Sequence, residues 1–176
     1  MTLEEAIERF RGPLVGLVAS WGVPFHDATI IAQDSLADAH LSRHNCRGDL
    51  SDPCVYGRWL KGVARNHFRN WLRTHKRTKS YVAYVDPSLL DEHPTSVDPA
   101  EEVRVRLVRE AIQRLPDKQR RVILMHYLEE TSVKEVAALL SVTPKTVEGR
   151  LYQARRSLAR MLSQTLEAAD RGRPKS

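Results

Sequence analysis

The 176-residue sequence has few cysteines, few glycines and no long apolar run, and each shortage excludes a class of protein. The two cysteines, Cys46 and Cys54, are too few for a disulfide scaffold, which favours a reducing compartment. No G-x-G-x-x-G or P-loop string marks a nucleotide-binding loop. No stretch approaches the roughly 18 apolar residues of a membrane span, and the acidic start of the chain differs from a secretory signal. We therefore expect a cytoplasmic protein that does not insert into a membrane.

Charge is unevenly distributed along the chain, whose formal net charge is +6. Residues 1–80 hold 12 Lys/Arg and 8 Asp/Glu. Residues 81–100 hold no Lys/Arg and 4 Asp/Glu, and residues 101–176 hold 16 Lys/Arg and 10 Asp/Glu. Lys and Arg release condensed counterions when they neutralise phosphates. Two basic blocks around an acidic connector therefore favour a polyanionic partner that is contacted at two places.

Apolar residues recur at spacings of three and four along most of the chain, which predicts an all-α protein. The segment 84–100 breaks this period, since it holds Pro87, Pro94 and Pro99 among Asp, Ser and Thr. We therefore predict two small helical domains joined by a flexible acidic linker. The predicted boundaries are a first domain over 1–80, the linker over 81–100, a second domain over 101–165 and a basic tail over 166–176.

Three helices are predicted for the first domain, and the third has one apolar face and a row of arginines four residues apart that stays solvated. Trp59 and Trp71 are at helical spacing in this third helix, so we expect them to pack in the core rather than to stack on bases. The helices are expected to run from Leu3 through or around Gly12-Pro13, from an N-cap at Asp27 to about Leu41, and from about Cys54 to Lys76.

The segment 132–162, SVKEVAALLSVTPKTVEGRLYQARRSLARML, has the pattern of a helix-turn-helix. A short helix is followed by a turn that Val142 can plug, and Thr143 can cap the next helix. That helix begins at Pro144 or Lys145 and shows polar and basic side chains outside its apolar face. An ordinary helical bundle shares part of this pattern, but the plugged turn and the Arg-rich second helix favour binding in the major groove of DNA.

Several strings of the sequence resemble bacterial sigma factors of the sigma-70 family. Residues 117–124, DKQRRVIL, followed by 132–162 resemble region four of that family. The match leaves nothing for regions 1.1 or three, so the chain is similar to the short, two-domain extracytoplasmic-function (ECF) group. In the first domain, Asp27-Ala28, 33–35 (QDS) and Ala39 resemble the core-binding part of region two, and 59–60 (WL), 63–66 (VARN) and 71–73 (WLR) resemble its promoter-opening part.

The resemblance implies a sigma factor, with core RNA polymerase, promoter DNA and an anti-sigma factor as its partners. Region four would read the minus-thirty-five element of the duplex, and region two would capture an unpaired base of the minus-ten element. A helix suits the major groove, whereas a melted strand needs a cationic track and a pocket. The resemblance further implies no enzymatic activity, no catalytic residue, no cofactor and no small-molecule substrate.

The resemblance also assigns residues to three surfaces, and Asn66 aligns with the residue that reads the captured base. Contacts to the minus-ten strand are expected from Arg65, Asn66, His67, Arg69, Asn70 and Arg73. Contacts to the minus-thirty-five element are expected from Thr143, Lys145, Thr146, Glu148, Arg150, Gln153 and Arg155. Contacts to the polymerase are expected from Asp27, Gln33, Asp34 and Leu36.

Three positions of the helix-turn-helix depart from the family pattern. Glu148 and Gln153 stand where basic residues are common. Glu148 can accept from cytosine N4 or pair with Lys145 within the helix, and Gln153 can read adenine. Ser141 stands where the turn has Gly, so either Ser141 adopts a left-handed conformation or the turn differs.

Two other interpretations stay open from the residues alone. His40, His44, Cys46 and Cys54 fall within 15 residues, but no C-x-x-C pair accompanies them, so we predict free thiols and no metal site. The second interpretation is a stand-alone helix-turn-helix regulator whose N-terminal half senses a ligand or dimerises. It predicts tight duplex binding without polymerase and a palindromic site.

Overall fold

The computed structural model describes residues 1–75 and 99–171, with side chains described in 1–75 and 101–165. Within these ranges no strand occurs, which confirms the predicted all-α class. None of the described helices is long and apolar enough to cross a membrane. The elements are α1 (Leu3–Ala19), α2 (Phe25–Leu41), a short 3-10 turn (Arg43–Asn45), α3 (Pro53–His75), α4 (Pro99–Gln113), α5 (Asp117–Tyr127), α6 (Val133–Leu140) and α7 (Pro144–Arg171).

The starts of the first helices follow from local chemistry. Thr2 caps α1, since its hydroxyl accepts from the Glu5 N–H at 3.2 Å and the Glu5 carboxylate accepts from the Thr2 N–H at 2.7 Å. Helix α2 begins at Phe25, directly after Pro24 at the cap position. The predicted N-cap at Asp27 is therefore wrong. Asp27 lies in the first turn instead, where a carboxylate is favoured by the helix dipole.

The N-terminal half, α1–α3, packs directly against α5 and α6 of the C-terminal half, α4–α7, and one hydrophobic core extends through both. Gly16 of α1 permits a close approach, because a Cβ there would lie 2.5 Å from the Cα of Met125. Gly57 of α3 permits another, because its Cβ would lie 2.9 Å from the carbonyl oxygen of Ala138. The structure is thus a closed arrangement of the two halves.

The surface also links the halves, through an ion pair of 3.0 Å between Arg11 of α1 and Glu129 after α5. The shared core includes Phe10 and Leu60 from the N-terminal half. Residues 76–98, which include most of the predicted linker and the last five residues of the predicted first domain, lie outside the described residues, as does the end of the predicted tail. Helix α4 already begins at Pro99, inside the range predicted for the linker.

Candidate nucleic-acid interface

The residues expected to contact the minus-ten strand all lie on α3, but they divide between two sides of it. Asn66, His67 and Asn70 line an open cleft of about 500 Å³ between the end of α2 and α3. Arg65 and Arg69 line a second cleft, on the side that faces α5. Successive side chains on a helix are turned by about 100°, so one helix contributes to both clefts.

The cleft beside α2, called the α2–α3 cleft below, presents amide donors next to an aromatic ring. The Asn66 side-chain oxygen accepts from Arg69 at 3.4 Å, and the Asn70 side-chain oxygen accepts from Arg73. Neither side-chain amide nitrogen donates a hydrogen bond within the described residues, so the N–H donors of both asparagines are available to a ligand. Trp59 lines the same cleft. An aromatic surface with nearby donors suits an unstacked nucleobase.

His67 forms part of the wall of the α2–α3 cleft and is oriented by Asp38. The imidazole Nε2 and the Asp38 Oδ2 are 2.7 Å apart, with the side chains 23% and 57% exposed. A pair this exposed contributes less than about 1 kcal/mol to stability. Its effect is on geometry, because a ring whose Nε2 is engaged offers only Nδ1 to a bound strand.

Both tryptophans of α3 are half-buried and pack against the core, as the sequence predicts. Trp71 stacks between Phe68 and His75, with ring centroids 6.3 and 4.4 Å apart. Its indole N–H donates to Asp27 at 3.0 Å. Trp71 therefore ties α3 to α2 and serves the fold.

The residues expected to meet the polymerase do not all reach the surface of α2. Gln33 and Asp34 are exposed. Leu36 is only 2% exposed and belongs to the core, because it lies on the face of α2 that packs inward. The Asp27 carboxylate is engaged by Trp71. Of the four predicted residues, only Gln33 and Asp34 are thus exposed on α2, and Leu36 does not belong to that surface.

Helices α6 and α7 form the predicted helix-turn-helix. The turn passes through Ser141 with φ 57° and ψ 47°, so of the two alternatives for this position the structure has the left-handed conformation. Val142 is half-buried against the core. Thr143 caps α7 as predicted, since its hydroxyl accepts from the Thr146 N–H at 3.2 Å. A capped helix N-terminus at the protein surface is the part of a recognition helix that meets DNA.

The predicted reading residues of α7 differ in their surroundings. Lys145, Glu148 and Gln153 are exposed. Among the described side chains Glu148 forms no ion pair, with Lys145 or with another cation, so its carboxylate stays available. Arg155 donates to the Tyr127 hydroxyl at 2.8 Å and lies 5.6 Å from the centroid of that ring. Tyr127 thus holds the Arg155 guanidinium in place.

Arg150 differs from the other predicted reading residues because it faces the N-terminal half; like Thr146, it is half-buried. It lines a cavity of about 320 Å³ together with Lys61 and Arg65 of α3 and with Lys118 and Arg121 of α5. Sequence reasoning missed this group of cations. Lys61 and Arg65 share a helical row, but their approach to α5 and α7 is a tertiary contact that no spacing shows.

The part of the chain that the structure describes contains no group of three His, Cys, Asp or Glu side chains that could hold a metal ion. Cys46 is half-buried, Cys54 is exposed, and both are free thiols.

Comparisons with known proteins point to one family. The family model "Sigma-70, region 4" matches residues 106–158, which include the helix-turn-helix. The chain is 25% identical to the ECF RNA polymerase sigma factor SigM of Bacillus subtilis, over 90% of this chain and 93% of that protein. It is 30% identical to SigM of Mycobacterium tuberculosis, over 74% of this chain and 64% of that protein.

A further relative is longer than this chain. The probable RNA polymerase sigma factor RfaY of Xanthomonas campestris pv. campestris is 28% identical over 80% of this chain, which spans 36% of that protein. The solved structure of CnrH in complex with the cytosolic domain of CnrY shares the fold, with a TM-score of 0.52 and 22% identity over 92% of this chain and 88% of that chain. The all-α fold and the region that the family model matches place this chain in the class of helix-turn-helix transcription proteins. Residues 106–158 belong to region 4 of the sigma-70 family, and over most of its length the chain is similar to RNA polymerase sigma factors of the ECF group.

Proposed function

We propose that this chain directs core RNA polymerase to specific promoters and assists the initiation of transcription in the cytoplasm. The observation that carries the proposal is the pairing of two surfaces in one chain of this family. A capped, basic recognition helix lies in α7, and a cleft with amide donors lies beside α3. Such a factor positions the polymerase and does not itself catalyse a reaction.

The start of α7 enters the major groove of the minus-thirty-five element in this proposal. Lys145 and the capping Thr143 contact phosphates or base edges, and the exposed carboxylate of Glu148 accepts from cytosine N4. Gln153 reads adenine, because its amide matches the N6 and N7 pattern of that base. Each such base contact contributes about 1–3 kcal/mol of discrimination.

The α2–α3 cleft captures an unpaired base of the minus-ten element. Asn66 and Asn70 supply the N–H donors, and the arginines Arg69 and Arg73 neutralise strand phosphates while they hold the two amides in place. Unstacking a base costs a few kcal/mol, which phosphate contacts and polymerase binding have to offset. The exposed Gln33 and Asp34 of α2 contact the polymerase, and an anti-sigma factor competes for these surfaces.

Promoter reading requires the two halves to separate. Elements centred near minus ten and minus thirty-five are about 25 base pairs apart, or about 85 Å at 3.4 Å per pair. In the closed arrangement Arg65 of α3 and Arg150 of α7 line the same cavity. One compact body of this size cannot reach both elements. Polymerase binding therefore opens the contacts at Gly16 and Gly57.

Run-off transcription with purified core polymerase on a promoter library tests the function. Transcripts should start at specific sites only when the chain is added. Gln153→Ala should lower initiation about 10-fold to 100-fold and relax the preference at one upstream base, as expected for the loss of one base contact. Asn66→Ala should reduce promoter opening and leave the upstream preference unchanged. Arg160→Ala, exposed on α7 beyond the reading residues, is the matched control.

A different result would assign a different function. If the chain binds a palindromic duplex tightly by itself and gives no specific start with core polymerase, it is a stand-alone regulator. A loss for Arg160→Ala without a loss for Gln153→Ala would show that α7 contributes only diffuse positive charge.

A further inference from the structure

The cavity between the two halves has an unusual concentration of positive charge. Lys61 and Arg65 come from α3, Lys118 and Arg121 from α5, and Arg150 from α7. Its volume of about 320 Å³ is lined by residues of both halves, and it is open to solvent at the exposed Arg65 and Lys118. The site therefore exists only in the closed arrangement.

These cations have no anionic partner within the described parts of the chain. No carboxylate forms an ion pair with any of the five side chains there. Asp117 lies close enough to attract Arg121, but it is itself paired with Arg120. The Nε of Arg121 is buried without a hydrogen-bond partner. A buried donor that lacks an acceptor is unfavourable, so the arrangement gains stability when an acceptor enters.

Burial and neighbouring like charges lower the pKa of one cation from each half of the chain. Burial, followed by the nearby Arg65, Arg121 and Arg58, lowers the pKa of Lys61. Burial is also the main cause that lowers the pKa of Arg121, with Arg150 and Arg65 adding to it and Asp117 opposing it. Helices from the two halves thus hold like charges together without a counterion from the described chain.

We propose that this cavity binds a small multivalent phosphate anion, such as an inorganic polyphosphate or the phosphate chain of a nucleotide. Arginine matches phosphate oxygens in a bidentate manner, and lysine binds them as a point charge. The volume has room for about ten water molecules, which is comparable to a chain of two or three phosphates. A DNA duplex is too wide to enter a cavity of this size, so the ligand is a small anion and not the promoter.

Binding of the anion stabilises the closed arrangement, because its ligands come from both halves. The anion then opposes the separation that promoter reading requires, and this consequence rests on the proposed function. The binding itself does not, since it involves the free chain alone.

Calorimetric titration of inorganic tripolyphosphate into the full chain tests the site. At about 150 mM salt, where long-range attraction is screened, one saturable site is expected. The double variant Lys61→Gln, Arg121→Gln should bind at least about tenfold more weakly, as expected for the loss of charge-assisted contacts. Arg160→Gln, exposed on α7 and outside the cavity, should stay within about twofold of the parent.

The stability of the double variant separates lost binding from lost folding. Removing two crowded cations relieves repulsion, so its unfolding midpoint should equal or exceed that of the parent. A nucleoside triphosphate in a parallel titration distinguishes the source of the phosphates, since tighter binding than tripolyphosphate would indicate a nucleotide. No saturable binding, or equal weakening by Arg160→Gln, would overturn the proposal and leave only diffuse attraction to a chain of net charge +6.

Discussion

Replacing Gly16 with alanine tests the contact that holds the two halves together. The added Cβ would lie 2.5 Å from the Cα of Met125 and 2.7 Å from the carbonyl oxygen of Leu124. Both are backbone atoms, so the clash is relieved only if α5 moves away from α1. Overpacking of this kind costs about 1–3 kcal/mol. The higher helix propensity of alanine offsets up to about 1 kcal/mol of this loss in the free energy of unfolding.

Gly62→Ala in α3 is the matched control, because nothing lies within 4 Å of a Cβ at Gly62. It gains the same propensity without a clash, and its free energy of unfolding should rise by up to about 1 kcal/mol. The difference between the two variants therefore isolates the clash, and Gly16→Ala should be less stable than Gly62→Ala by about 1–3 kcal/mol. Urea unfolding of the full chain, followed by circular dichroism, measures both.

The reasoning is refuted if Gly16→Ala is as stable as Gly62→Ala. That result would mean that Gly16 is an ordinary helix position in solution and that the two halves do not pack as the structure shows. A lower denaturant slope for Gly16→Ala alone would indicate that the halves unfold separately in that variant.

Three further predictions concern the cap, the turn and the cation cavity. Ser132→Ala removes the side-chain cap of α6 and should lower the free energy of unfolding by about 1 kcal/mol, measured by urea unfolding; an unchanged value would contradict the capping box. Ser141→Gly should raise the free energy of unfolding by about 1 kcal/mol, because glycine adopts the left-handed conformation without the steric cost that serine has. Ser141→Ala should not raise it, and thermal unfolding of both variants measures the difference. The pKa of Lys61 is lowered, so just below the ordinary lysine pKa the folded chain binds fewer protons than the unfolded chain, and this lysine makes the free energy of unfolding rise with pH. Lys61→Gln should flatten that rise, measured as urea midpoints at several pH values just below the ordinary lysine pKa. An unchanged pH profile would refute the prediction.

The elements that sequence reasoning predicted well are the ones set by local chemistry. The helix-turn-helix follows from a hydroxyl cap at Thr143, an apolar Val142 and a helical period, all within a few residues. For Ser141, which stands where the family pattern has Gly, the sequence leaves a left-handed residue or a different turn as alternatives, and the structure has the left-handed residue. The start of α2 was misplaced at Asp27, because an acidic cap signal competes with a first helical turn that also favours acids.

The arrangement of the candidate site could not be predicted in the same way. Spacing placed Arg65, Asn66 and Asn70 on one helix, but not in two different clefts. Which side of α3 meets solvent depends on α2 and α5, and the approach of α5 depends on Gly16, more than a hundred residues away from it in sequence. A glycine in a helix shows no signal of what will pack on it. The cation cavity was therefore visible only in three dimensions.

The central claim is that the two halves are packed together in the free chain and separate on a promoter. Spin labels on Ser51→Cys and Lys134→Cys, with Cys46 and Cys54 replaced by serine, report this directly, since Ser51 and Lys134 line one cleft between the halves. Pulsed electron paramagnetic resonance should give a single short distance for the free chain and a much longer one, approaching the roughly 85 Å between the promoter elements, in the complex with core polymerase and DNA. A distance that stays short in an active promoter complex would contradict the account.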